Sequence, residues 1–123
     1  MPKREGTILV VDDDPDIRDA LRDTLQVAGY AVAEVTGGGE ALTWLRSHPA
    51  PALILLDWNM TPMNAPQFML EFCREKPFSH VPVVLITADM HVNQKLRSGP
   101  YRGYISKPVD LDALFDVISR LAG

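Results

Sequence analysis

Leu53-Ile54-Leu55-Leu56-Asp57 decides the fold of this 123-residue chain, because a short and wholly apolar run ends there at a carboxylate. Apolar runs without alternation are typical of parallel strands that helices cover on both faces. The carboxyl ends of such strands meet at one edge of the sheet, where ligands bind, so the polar residues that end the runs should share one crevice. Three further runs have this form: Ile8-Leu9-Val10-Val11 before Asp12-Asp13-Asp14, Val83-Val84-Leu85-Ile86 before Thr87, and Tyr104-Ile105-Ser106 before Lys107-Pro108.

The segments between these runs predict helices, and the whole pattern predicts a doubly wound α/β sandwich. Asp14 is predicted to cap the first helix, and Gly29 to end it. A short β-branched run follows, and then a second stretch of helical periodicity. The predicted elements are a helix over roughly residues 14–28, a strand over 30–35 and a helix over 38–47.

The sequence of the second half of the chain predicts three more helices, whose apolar patterns differ in clarity. An apolar stripe at helical spacing runs from Ala65 to Cys73 and predicts that Cys73 lies in the core. Asp110 is predicted to cap the last helix, which has the clearest amphipathic pattern of the chain. Residues 90–97 carry little apolar periodicity, and Gly99-Pro100 interrupts any continuation, so the fourth helix should be short or frayed.

Length and composition point to one domain over residues 1–123. The formal net charge is -4, with no lysine and arginine cluster, so direct nucleic-acid binding is not expected. No apolar stretch approaches the roughly 20 residues that span a bilayer, so we expect no membrane contact. Cys73 is the only cysteine and no signal peptide is recognisable, which favours a cytoplasmic protein.

The predicted crevice has the chemistry of a metal-assisted phosphoryl site. Asp12, Asp13 and Asp57 would crowd their carboxylates together, which is unfavourable unless a cation or a proton relieves the charge. Oxygen ligands in an open site favour Mg²⁺. Asp57 is placed to act as a nucleophile, Lys107 to pair with a phosphoryl oxygen, and the Thr87 hydroxyl to donate to one.

The chain resembles response-regulator receiver domains over its whole length, and residues 57–60 resemble the chemotaxis-type single-domain regulators. The matching motifs are residues 8–13, 53–60, 85–88 and 103–108. The resemblance implies a five-stranded parallel sheet of flavodoxin-like strand order 2-1-3-4-5. It implies a phosphoacceptor switch of a two-component system, in place of an enzyme with its own substrate. A sensor histidine kinase or phosphotransfer protein would be the partner, and the protein would be a monomer or a weak dimer.

The resemblance also implies roles for individual residues. Asp57 would be phosphorylated, and Asp13 and Asp57 would hold Mg²⁺ with the backbone carbonyl of Asn59, while Asp12 would bind through water. Thr87 and Tyr104 would form the switch pair.

Two further details follow from the same resemblance. Asn59 and Asp89 would lie beside the water that hydrolyses the phosphoryl group, so they would tune dephosphorylation. The Lys107-Pro108 peptide bond would be cis.

Three departures from the family pattern concern the loops. Thr61 separates Met60 from Pro62, Ala65 stands where glycine is usual before helix three, and the stretch from Thr87 to Lys107 is short. If position 65 required a positive φ, alanine would be strained there.

Three other functions compete with a free-standing switch. One is a receiver module from a larger kinase or transcriptional regulator. Another is a phosphatase of the haloacid-dehalogenase type, although Asn59 replaces the acid expected two residues after the nucleophile and no cap domain fits in this length. The third is a scaffold with a vestigial site, and the retention of the complete residue set argues against it.

Overall fold

Parallel strands and helices alternate along the whole described chain, in agreement with the sequence pattern. The computed structural model describes residues 6–88, 91–97 and 99–122. The strands are β1 (Thr7–Val11), β2 (Ala31–Val35), β3 (Leu53–Asp57), β4 (Val83–Thr87) and β5 (Gly103–Ser106). The helices are α1 (Pro15–Val27), α2 (Gly38–Ser47), α3 (Ala65–Phe72), α4 (Val92–Leu96) and α5 (Leu111–Ala122).

The sheet has the predicted order β2-β1-β3-β4-β5, and all four neighbouring pairs are parallel. The register places Asp57 beside Ile86 and Thr87 beside Ser106. The polar residues that end β1, β3, β4 and β5 therefore lie along one edge of the sheet.

Helices cover both faces of the sheet, so the molecule has two apolar cores. Alternate residues of the central strands enter opposite cores: Ile54 and Leu56 pack with α2 and α3, whereas Leu53 and Leu55 pack with α1 and α5. All five residues of β3 and of β4 are buried. This two-sided burial explains why these strands are continuous apolar runs.

Polar caps fix the starts of α1, α3 and α5. Asp14 caps α1 and accepts a hydrogen bond from the backbone N–H of Asp16 at 3.0 Å. Asn64 and Gln67 form a reciprocal capping box at the start of α3. The Asp110 carboxylate accepts from the backbone N–H of Ala113 at 3.3 Å, as the prediction of a cap for α5 requires.

The loop departures are accommodated without backbone strain. Among the described residues only Gly6 and Gly29 have a positive φ, so Ala65 begins α3 in an ordinary conformation. The Lys107-Pro108 peptide bond is cis as predicted, and Thr61-Pro62 is also cis.

The prediction that Cys73 lies in the core is wrong. The helix α3 ends at Phe72, and Cys73 is its exposed C-cap residue. Phe78, from the following loop, packs on Phe72 with ring centroids 5.6 Å apart and buries the end of the apolar stripe. The apolar stripe in the sequence therefore extends one residue beyond the end of α3.

The prediction of a short fourth helix is confirmed, because α4 has five residues. Its one buried side chain is that of Lys95. In the part of the chain that the structure describes, no helix combines the length and the apolar character that crossing a membrane requires.

Candidate functional site

Three carboxylates meet where β1 and β3 end. Asp12 and Asp13 follow β1, Asp57 is the last residue of β3, and one oxygen from each lies within 4.8 Å of the others. Asp12 and Asp57 are buried, with 1% and 2% of their surfaces exposed, whereas Asp13 is open to solvent. The carboxylate pocket is therefore buried on the side of Asp12 and Asp57 and open to solvent on the side of Asp13.

Asp12 is held in an environment that disfavours its charge. Burial raises the pKa of the Asp12 carboxyl to about 6, and the neighbouring charge of Asp57 adds to the rise in pKa. The backbone N–H of Asp14 opposes this by donating to Asp12 Oδ1 at 2.9 Å. The other oxygen, Oδ2, is buried and has no hydrogen-bond partner.

Lys107 supplies a positive charge beside Asp57, at the edge of the cluster. It follows β5, and its Nζ lies 2.8 Å from Asp57 Oδ1, although the two are not aligned as a hydrogen bond. We regard the contact as an ion pair, since the distance is short and Asp57 is almost fully buried. The backbone N–H of Lys107 donates to the Thr87 carbonyl at 2.9 Å, which fixes this residue to the end of β4.

The carboxylate cluster fits a hard divalent cation. Two of its buried oxygens, Asp12 Oδ2 and Asp57 Oδ1, accept no hydrogen bond. Buried polar oxygens are normally satisfied, so Asp12 Oδ2 calls for a cation or water, whereas Asp57 Oδ1 already faces the Lys107 ammonium. Oxygen ligands with an open side suit Mg²⁺, which retains several of its waters.

The Thr87 hydroxyl lies at the end of the next strand and has a partner that the sequence did not suggest. Thr87 is buried, and Lys95 Nζ donates to its Oγ1 at 3.0 Å. The same ammonium lies 4.9 Å from the centroid of the Trp58 ring. A lysine on a short polar helix is usually solvated, so nothing in the pattern around Lys95 distinguished it.

The remaining predicted site residues are exposed or lie outside the described chain. Asn59 is exposed, two residues after Asp57. Tyr104 lies on β5 opposite Leu85 and is 45% exposed, so its side chain is at the surface. Asp89 falls outside the described residues.

A comparison with families of known proteins decides the classification. The model of the response regulator receiver domain family matches residues 8–119. The chain belongs to this family. It is therefore a receiver domain of the kind found in two-component response regulators, and the matched region contains the acidic cluster and Lys107.

Individual relatives agree with this assignment. The receiver domain is 35% identical to part of the response regulator FleR of Pseudomonas aeruginosa, a match that covers 94% of this chain but only 24% of FleR. It is 27% identical to the polar-differentiation response regulator DivK of Brucella anthropi, over 100% of this chain and 98% of DivK. The chain thus spans about a quarter of one relative and nearly all of the other.

The solved structure of one relative contains Mg²⁺. The response regulator TrrA of Thermotoga maritima, crystallised in complex with Mg²⁺ and beryllium fluoride, is 31% identical to this receiver domain. The match covers 95% of this chain and 99% of TrrA, with a TM-score of 0.84. A related receiver domain therefore binds Mg²⁺.

Proposed function

We propose that Asp57 accepts a phosphoryl group from a phosphohistidine of a sensor histidine kinase or phosphotransfer protein. One observation carries the proposal: Asp57 ends the central strand, buried among acidic groups, with the Lys107 ammonium 2.8 Å from its carboxylate. A carboxylate oxygen of Asp57 would attack phosphorus while the bond from phosphorus to the donor nitrogen breaks. The electron pair of that bond returns to the imidazole, which takes a proton.

Mg²⁺ is the cofactor that this site would use. Asp12, Asp13 and Asp57 would hold it together with the backbone carbonyl of Asn59. When bound, the ion would neutralise charge on the transferred group and on the crowded carboxylates. The buried Asp12 Oδ2, which accepts no hydrogen bond, supports this assignment.

Lys107 and Thr87 would bind the transferred group. Lys107 would pair with a phosphoryl oxygen, and the Thr87 hydroxyl would donate to another. Thr87 and Tyr104 would then form the switch, in which Tyr104 leaves its half-exposed position as Thr87 moves toward the phosphoryl group. Asn59 and Asp89 would set the access of hydrolytic water and thus the lifetime of the phosphoprotein.

The phosphodonor would dock on an apolar groove beside Lys107. The groove lies between α1 and the start of α5 and has a volume of about 350 Å³. It adjoins the ion pair of the acceptor, so a protein seated there could present its phosphohistidine to Asp57. The lining residues include Ile17, Ala20, Pro108 and Leu111.

The wider properties follow from this role. The domain would catalyse only its own phosphorylation and dephosphorylation and would turn over no other substrate. It would act on a protein partner in the cytoplasm, as a monomer or weak dimer. Its net charge of -4 disfavours contact with nucleic acid.

Acetyl phosphate, which needs no kinase, tests the acceptor directly. With Mg²⁺ present, the intact mass of the wild type should rise by one phosphate. The gain should vanish in Asp57→Asn and in excess chelator, and should persist in the matched control Asp16→Asn, which alters an exposed carboxylate on α1. A full mass gain in Asp57→Asn, or with chelator, would refute the assignment.

A further inference from the structure

Lys95 is a buried lysine whose ammonium lies at the edge of the sheet where the strands end and the site residues meet. Only 9% of its surface is exposed. Burying an ammonium is costly unless it is compensated, so such lysines normally have specific partners. Among the described residues its partners include the Thr87 hydroxyl, at 3.0 Å, and the Trp58 ring, whose centroid is 4.9 Å away.

These partners fix Lys95 to the ends of the acceptor strand β3 and of its neighbour β4. Trp58 follows Asp57 directly, and its backbone N–H donates to the carbonyl of Ile86 at 2.9 Å. Thr87 follows Ile86. The ammonium therefore bridges the ends of β3 and β4, with the indole face adding a cation–π contact.

The donor chemistry of the contact determines how the Thr87 hydroxyl can be used. An ammonium has three hydrogens and no acceptor, so Thr87 Oγ1 must accept from Lys95. The hydroxyl hydrogen consequently points to a partner other than Lys95. Accepting from a charged donor also polarises the hydroxyl and makes it a stronger donor in turn.

We propose that Lys95 is a positioning residue for phosphoryl binding, which orients and polarises the Thr87 hydroxyl so that it donates to a phosphoryl oxygen. The proposal rests on the proposed function of Asp57 as acceptor. Lys95 acts through Thr87, so its effect must disappear when the hydroxyl is absent. It also joins α4 to the acceptor site through one side chain.

A double-mutant cycle with beryllofluoride as the phosphoryl analogue tests this. NMR titrations at saturating Mg²⁺ measure the affinity for beryllofluoride. They are made on the wild type, Lys95→Met, Thr87→Val and the double variant. Lys95→Met should weaken binding about tenfold, the size expected for a charge-assisted hydrogen bond. In the Thr87→Val background the same substitution should change the affinity by less than about twofold, because the two residues form one unit.

Two controls separate positioning from charge and from folding. Lys76→Met removes a positive charge from an exposed site and should leave beryllofluoride affinity unchanged. Mg²⁺ affinity without beryllofluoride, measured by calorimetry, should not fall in Lys95→Met. If Lys95→Met does not fold, Lys95→Gln replaces it in the cycle, with a smaller loss expected because a neutral donor remains.

The outcomes are distinct. An unchanged affinity in Lys95→Met, or an equal loss with and without the Thr87 hydroxyl, overturns the positioning role while leaving the acceptor site intact. A wild type that binds no beryllofluoride and gains no phosphate from acetyl phosphate overturns the proposed function itself.

Discussion

At the scale of single residues, Asp12 links the acidic site to the stability of the receiver domain. The pKa of Asp12 is raised from its ordinary value of 3.8 to about 6, mainly by burial. Between these two values the folded protein keeps a proton that the unfolded chain has released. Without a divalent cation, this carboxyl therefore lowers the free energy of unfolding as the pH rises through that interval.

We expect Asp12→Asn to remove this contribution, because an amide does not titrate. In chelator, the free energy of unfolding of the variant relative to wild type should rise between about pH 4 and pH 7, by up to about 3 kcal/mol. Urea unfolding at stepped pH measures it. A difference that stays flat across this range would show that Asp12 is ionised as easily in the folded protein as in the unfolded chain.

Asn59 and Asp89 give a second prediction, on the lifetime of the phosphoprotein. Both side chains are small or polar, and Asn59 is exposed, so water should reach the acyl phosphate easily. Replacing both with leucine should slow loss of the phosphate several-fold by excluding that water. The decay is followed by intact mass after removal of acetyl phosphate, and an equal or faster decay would contradict the role.

The residue scale also shows what the sequence can predict about the site. Asp12, Asp57 and Lys107 end apolar runs, so their convergence followed from the geometry of a parallel sheet, and the structure brings them together. Lys95 could not be predicted in this way. Its burial depends on the fold of a five-residue helix over Thr87 and Trp58, and no period in the sequence encodes that contact.

At the scale of elements, α4 differs from α5 in how it is anchored. The helix α4 has one buried side chain, Lys95, whereas α5 has twelve residues and buries Leu114, Val117 and Ile118. Tertiary packing of an apolar face supplies most of the stability of a helix in a protein. The fourth helix should therefore open more readily than the fifth.

Hydrogen exchange should report this difference. In the free protein, backbone amides of residues 92–96 should exchange faster than those in the middle of α5, and they should gain the most protection when beryllofluoride binds, as α4 becomes ordered. Protection of α4 equal to that of α5 in the free form would show that the short helix is rigid and that ordering is not the switch.

Helix boundaries were predictable where polar caps or glycines mark them and less so elsewhere. Residues 38–47 form α2 as expected, and Asp14 and Asp110 cap their helices. The error at Cys73 arose because an apolar stripe carries no signal for where the backbone turns, and Phe78, five residues later, packs on Phe72 and buries the end of that stripe.

At the scale of the whole molecule, the groove beside Lys107 should matter for phosphorylation by a protein donor but not by a small molecule such as acetyl phosphate. Ala20 lies on its exposed rim, so Ala20→Arg should slow transfer from an autophosphorylated histidine kinase that phosphorylates the wild type. Labelling by acetyl phosphate should be unchanged, because Asp57 and Lys107 are untouched. Gln26→Arg adds the same charge to α1 outside the groove and serves as the control. Equal loss in both variants, or none in Ala20→Arg, would place docking elsewhere.

The complete burial of β3 has a mechanical consequence for signalling. All five of its residues are enclosed between two close-packed cores, and such interiors have low compressibility. We therefore expect β3 to move little if Asp57, its last residue, is phosphorylated as proposed. The structural change should instead occur in the segments that follow β3 and β4. These loops should move relative to the sheet, which stays rigid.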